Sequence, residues 1–177
     1  MKGIFKPKNK QKYIGNPDNV IFRSSWELSF MNFIDRSDVV VKWASEEISF
    51  RYYLITDKKW HRYFPDFYLE LITGDKFIIE IKPFNERIIK KKNNPHIVET
   101  FIKNQSKWKS AKEIADENNL KFIILDEYDL KKIGVRIPLK STKIPKNKLL
   151  YESQDQFSGS VQTLTEPLIE YSKRKNK

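Results

Sequence analysis

Residues 61–83, HRYFPDFYLELITGDKFIIEIKP, set two runs of aromatic and β-branched residues on either side of Thr73-Gly74-Asp75. Runs of that composition around a glycine-centred turn read as a β-hairpin. Three charged side chains, Asp66, Glu80 and Lys82, sit where the strands should bury apolar groups. With the turn centred on Thr73 to Asp75, residues whose numbers sum to about 147 lie opposite one another. Asp66 then falls across from about Ile81, beside Glu80 and Lys82, and a one-residue slip changes the pairing without changing the proximity. Glu80 and Lys82 share one face of their strand, and Ile79 and Ile81 take the other.

Two carboxylates held a few ångströms apart repel each other unless a cation joins them or one is protonated. Oxygen donors without cysteine or clustered histidine suit a hard ion, Mg²⁺ or Mn²⁺. A neighbouring lysine orients a water or neutralises charge developing on a phosphate. Pro65 removes a backbone donor just before Asp66, which favours a disturbed strand end open to a substrate. On spacing alone, a cross-strand ion pair on a wet face fits equally well.

Elsewhere the elements are plainer. The first twenty residues mix Lys, Asn, Pro and Gly with isolated Phe5 and Tyr13, and read as a basic arm. Trp26, Phe30, Phe33 and Ile34 form one stripe of an amphipathic helix from about Ser24 to Asp35. A short strand, a polar turn near Ala44 to Glu47 and a strand from about Ile48 to Ile55 follow. The run FNERIIKKKNNPHI is a lysine-rich connection, after which Ile97, Phe101, Trp108, Ala111 and Ala115 stripe a helix from about Ile97 to Asn118. KFIILDE is a short strand of the fully buried kind. The expected order is α-β-β-β-β-α-β, an α/β (α+β) domain with a mixed β-sheet flanked by helices. Residues 1–20 are assigned to the arm, 21–135 to the core domain and 136–177 to a polar C-terminal extension.

The formal net charge of +11 points to a polyanionic partner, nucleic acid before membrane. With no cysteine in 177 residues, disulfides, thiolate zinc sites and cysteine nucleophiles are excluded. No apolar run has the length of a membrane span, and MKGIFKPKNKQKY lacks the apolar stretch of a signal peptide. The expectation is a soluble protein with no membrane partner.

The pattern Pro-Asp followed by a strand-borne Glu-x-Lys resembles the PD-(D/E)XK nuclease superfamily. The wider segments FKPKNKQKYIGNPDNVIFRSSWE, WASEEISFRYY, HRYFPDFYLE, FIIEIKP and KNQSKWKSAKEIADENNLKFIILDE occur in an order similar to the T4-type phage head-completion nuclease family. The resemblance runs from about Phe5 to Leu130. It implies a restriction-endonuclease-like core and cleavage of double-stranded DNA at the end of head filling, before tail attachment. It also implies head, portal or neck proteins as partners, and a location in the host cytoplasm during assembly and then in the virion. Carried over residue by residue, Asp66, Glu80 and Lys82 match the hairpin core and Glu27 the helix acid.

Glu27 also completes a capping-box sequence with Ser24, which competes for the same carboxylate. The expected metal ligands are Glu27, Asp66 and Glu80, assisted by the Ile81 carbonyl, with Lys82 orienting the attacking water. Gln105, on the apolar stripe of the second helix, is a further site candidate ahead of Lys107 and Asn104. Arg23, Arg62, Lys90, Lys91, Lys92 and Lys107 are the candidate DNA contacts. His61 reads as structural or solvated, and Trp43, Trp60 and Trp108 as core or interface anchors. Two other readings stay open: a DNA-binding structural protein of the virion neck or portal with a vestigial site, and another nuclease of the superfamily, such as a transposition end-cleaving subunit.

Overall fold

The computed structural model describes residues 1–88, 94–137, 148 and 161–175. A four-stranded sheet in the order β3-β6-β7-β8 forms its centre, from β3 (Val40–Ser45), β6 (Phe67–Leu71), β7 (Lys76–Ile81) and β8 (Lys121–Leu125). β3, β6 and β7 are antiparallel neighbours, and β8 joins β7 in parallel. That parallel connection carries two helices, α2 (Phe84–Arg87) and α3 (Pro95–Glu117), as a parallel crossover requires. The mixed sheet flanked by helices is therefore the architecture the sequence implied.

Each face of the sheet has its own core. On one side α1 (Ser25–Arg36) lays Phe30, Met31 and Ile34 against Phe67, Phe77 and Ile79. On the other, Trp108, Ala111 and Ala115 of α3 meet Ile78, Phe122 and Ile124. The alternation Phe77-Ile78-Ile79 thus feeds both layers, as the two-residue period of a strand dictates. Ser24 caps α1 by accepting the N–H of Glu27, and Asn94 caps α3, with Pro95 at its first turn.

The hairpin at 61–83 is shorter than the sequence suggested. Its first run divides at Phe64-Pro65: β5 (Lys59–Tyr63) turns back to pair with β4 (Phe50–Leu54), and only β6 pairs with β7. The extended residues 59–63 were expected as a turn and the start of the hairpin; instead they complete a separate two-stranded ribbon. The proline that breaks the ladder is the physical reason for the division.

The N-terminal segment is ordered by the rest of the fold. β1 (Gly3–Phe5) pairs with β2 (Val20–Phe22), and Phe5 and Tyr13 pack edge-on against the buried Trp43 at 5.9 and 4.7 Å. Buried Asp35 accepts the backbone N–H of Lys8 at 2.9 Å and fixes the path between them. The C-terminal extension is also partly core. After α4 (Glu127–Lys132), helix α5 (Val161–Lys175) buries Leu164, Leu168 and Tyr171 in the α1-side cluster. Those residues recur at the helical spacing i, i+4 and i+7, a signal that Pro167 and the polar flanks obscure.

Candidate active site

Three strands and one helix converge on the acids. The β6–β7 register pairs Phe67 with Ile79 and Leu69 with Phe77, one residue tighter than the sequence estimate. Extending it by one pair sets Asp66 opposite Glu80, so the slip leaves the expected juxtaposition in place. Asp66 accepts the N–H of Ile81 through Oδ2 at 2.7 Å. Glu80 lies on the α3 side of its strand and accepts the hydroxyl of Tyr63, the last residue of β5, at 2.6 Å. Both acids are half-buried.

The electrostatics follow from that crowding. Burial, then the adjacent Glu80, push the Asp66 carboxyl well above the usual carboxylate range, with smaller contributions from Glu27 and Glu46, and the Ile81 N–H opposes them. Glu80 is also raised by burial, but the Tyr63 hydroxyl, Lys82, Lys107 and Trp108 hold it down. Burial in turn lowers the Lys107 ammonium, while Glu80 and Asp66 pull it back up. A pair of adjacent, half-buried carboxylates that resists ionisation favours a cation between them. The all-oxygen donor set of Asp66 and Glu80 fits Mg²⁺ or Mn²⁺. Among the described residues, no three His, Asp or Glu side chains gather closely enough to hold an ion.

Glu27 is the acid that stays apart. Its carboxylate accepts the backbone N–H of Arg23 at 2.7 Å, while its own N–H goes to Ser24 Oγ at 3.1 Å. The cap competes successfully for this side chain, reaching one residue further back than a capping box would. Glu27 still acts on Asp66 through its charge.

The other candidates fall into place unevenly. Arg23 already has an acidic partner: its exposed guanidinium forks onto Glu46 at 2.6 and 2.8 Å. Glu46 went unnoticed in the sequence, yet its left-handed backbone (φ 55°) bends the chain so that its N–H meets the carbonyl of Asp66. Lys82 pairs with Glu86 at 3.2 Å, one helical turn on. Ile81 contributes its amide to Asp66. The Gln105 side chain makes no hydrogen bond among the described residues. The helix instead turns buried Asn104 inward, its amide nitrogen without a partner among the described residues, and brings Lys107 over the ring of Tyr63 at 5.4 Å. Tyr63 was another unnoticed member; β5 reads KWHRY, with no apolar alternation to single it out.

Arg62 is exposed, 5.8 Å above the ring of Phe64. His61 bonds to Asp57 at 2.7 Å, in keeping with a structural role. Trp43 and Trp108 are fully buried, whereas Trp60 is 61% exposed and is no core residue. Lys90, Lys91 and Lys92 lie outside the described residues. No helix among the described residues is long and apolar enough to cross a membrane.

Two comparisons bear on this geometry. The family described as TnsA-like endonuclease N terminal matches residues 37–127, a span that contains Asp66, Glu80, Lys82 and Lys107 but not Glu27. The head completion nuclease of Enterobacteria phage T4 is 33% identical over 144 residues, which cover 76% of this chain and 96% of that protein.

Proposed function

This chain belongs to the head completion nuclease family, with a TnsA-like endonuclease core, and from that premise we propose that it is a Mg²⁺-dependent DNA endonuclease acting in phage head completion. The observation that carries the proposal is the pair of half-buried carboxylates, Asp66 and Glu80, each fixed by a hydrogen bond from a neighbouring strand. Such an arrangement costs stability, as both groups resist ionisation. A cost of this kind at a strand break points to function.

Asp66 and Glu80 would hold Mg²⁺ or Mn²⁺, with the carbonyl of Ile81 as a further oxygen and Glu27 joining only if it leaves the N–H of Arg23. The bound ion would make a water more acidic and offset charge on the scissile phosphate. Tyr63 and the Ile81 amide keep the two acids oriented before substrate arrives. Lys82, at the end of β7, would position the attacking water for in-line displacement. Lys107 would offset negative charge on the phosphate from the α3 side.

The near-complete coverage of the phage protein favours head completion over the end-cleaving role of a transposition subunit. Packaged double-stranded DNA, with head, portal or neck proteins around it, is then the setting, in the host cytoplasm and afterwards in the virion.

Cleavage of supercoiled and linear DNA by the purified chain in Mg²⁺, beside Asp66→Asn and Glu80→Gln, tests the reading. Each isosteric change is expected to lower cleavage more than about 100-fold, beyond what loss of an outer-shell partner costs. Wild-type protein that binds DNA without cutting it would leave a structural virion protein with a vestigial site. Cleavage that survives both substitutions would place the chemistry elsewhere.

A further inference from the structure

The outer face of the β4–β5 ribbon carries exposed rings and two arginines that contact rings only at the surface, Arg62 lying 5.8 Å over Phe64. Its inner face is spoken for: Tyr52, Leu54 and Tyr63 pack with Trp108 and Ala111, and Ser110 of α3 donates to the carbonyl of Arg51 at 2.8 Å. On the outer face Arg51 stands directly opposite Arg62, and Tyr53 opposite Trp60. Like charges facing each other across two strands destabilise the pair. Neither arginine makes an ion pair among the described residues that would offset this. Tyr53 and Trp60, in edge contact at 5.6 Å, are 43% and 61% exposed. The Arg51 guanidinium lies 5.5 Å from the Trp60 ring centre.

We infer that this face binds DNA through unpaired bases, Trp60 and Tyr53 stacking on them while Arg51 and Arg62 track the phosphates, so that the substrate is engaged at an end or overhang. The inference rests on the nuclease reading and specifies the form of DNA that the site takes. Alternating cations and open rings suit single strands, whose bases expose their faces. An intact duplex hides those faces within its stack, leaving a tryptophan on a β-ribbon little to stack on. The ribbon is also continuous with the acids. Three residues along β5 from Trp60, about 10 Å of strand, comes Tyr63, whose hydroxyl holds Glu80. Asp66 follows three residues later. Trp60 faces outward and Tyr63 inward, so a strand stacked on Trp60 would round the end of the ribbon at Phe64-Pro65 to bring the adjoining backbone to the carboxylates.

The test measures binding without cutting. The full chain carrying Asp66→Asn is titrated in EDTA against fluorescein-labelled single strand, blunt duplex and duplex with an overhang. Anisotropy is followed over a range of salt concentrations. Overhang and single strand are expected to bind at least about tenfold tighter than blunt duplex, and Trp60→Ala to weaken that binding by roughly 5- to 150-fold. Trp60→Phe, which keeps a ring, should retain most of it. Arg51→Gln with Arg62→Gln should reduce the salt slope by about 1 to 2. Circular dichroism melts establish that each variant is folded, and quenching of Trp60 fluorescence, with Trp60→Phe as the control, reads the same contact in protein otherwise unchanged.

Equal affinity for blunt and overhanging duplex, or a folded Trp60→Ala that binds as well as its parent, overturns the inference. The second result would leave the exposed rings as a protein-docking surface. If wild-type protein fails to cut while the ribbon variants lose single-strand binding, the nuclease reading falls and this one stands. If it cuts but Trp60 is irrelevant to binding, only this one falls.

Discussion

Tyr63→Phe removes one oxygen and changes little else, so it isolates what the ribbon does for the acids. The Tyr63 ring is buried and Phe fills the same space, but Glu80 loses the hydroxyl that it accepts at 2.6 Å. A half-buried carboxyl deprived of a donor costs about 1–3 kcal/mol. For a chain of this size each kcal/mol moves Tm by about 2–4 °C, so a fall of roughly 2–12 °C is expected. The direction for Glu80 is also set: with the hydroxyl gone, burial raises its carboxyl further. Activity should fall more than stability at the assay temperature requires, by about tenfold, because the acid is no longer held in one orientation. Thermal melts by circular dichroism and single-turnover cleavage at saturating enzyme give the two readouts. A folded Tyr63→Phe with unchanged Tm and unchanged cleavage would show that Glu80 does not depend on this contact.

Other expectations concern the rest of the molecule. Leu164→Ala in α5 should cost about 2–5 kcal/mol, since Leu164 is fully buried against the α1-side core. A melt shifted no more than that of the surface change Lys173→Ala would mean that the helix is dispensable. In a salt titration of DNA binding, Arg23→Ala should leave the slope unchanged and Glu46→Gln should steepen it by about 1, because Glu46 occupies the guanidinium. The opposite order would return Arg23 to the DNA contacts. Asp129 shares a buried cluster with Asp126, Arg87 and Lys148, and burial, then Asp126, raise its carboxyl to about 6. Its folded value lies above the unfolded one, so ionisation costs stability above about pH 6, and the cost disappears as pH falls towards 4. Asp129→Asn should therefore gain on the wild type between pH 4 and 8, by about 3 kcal/mol at most. Parallel stability curves for the two proteins would exclude this.

The pairing of Asp66 with Glu80 was legible because a hairpin is local. A Gly-centred turn and the two-residue period of a strand fix which residues face each other to within one position, and one position does not separate neighbours. The helices α1 and α3 and the strand β8 were legible for the same reason, since their apolar periods and caps lie in contiguous residues. Gln105 shows where that reasoning stops. Residues 104 and 105 are 100° apart on a helix, and an apolar stripe of Phe101, Trp108 and Ala111 admits either at its edge. Only the packing of α3 against Ile78 and Tyr63 turns Asn104 inward and brings Lys107 to the acids.

Contacts between distant segments were likewise beyond the sequence. Glu46 claims Arg23, the Arg23 amide claims Glu27, and Tyr63 holds Glu80 only because β5 folds back on β4 rather than running on into β6. The same fold-back covers Tyr52 and exposes Trp60, although both are aromatic residues in strands of similar composition. By itself, then, the sequence determined the local elements and the family of the site, because hydrophobic period, turn chemistry and a motif on one hairpin are properties of neighbouring residues. Tertiary structure decided which acids are free, which cations are already neutralised and which rings face water, because those depend on what the rest of the chain lays against them.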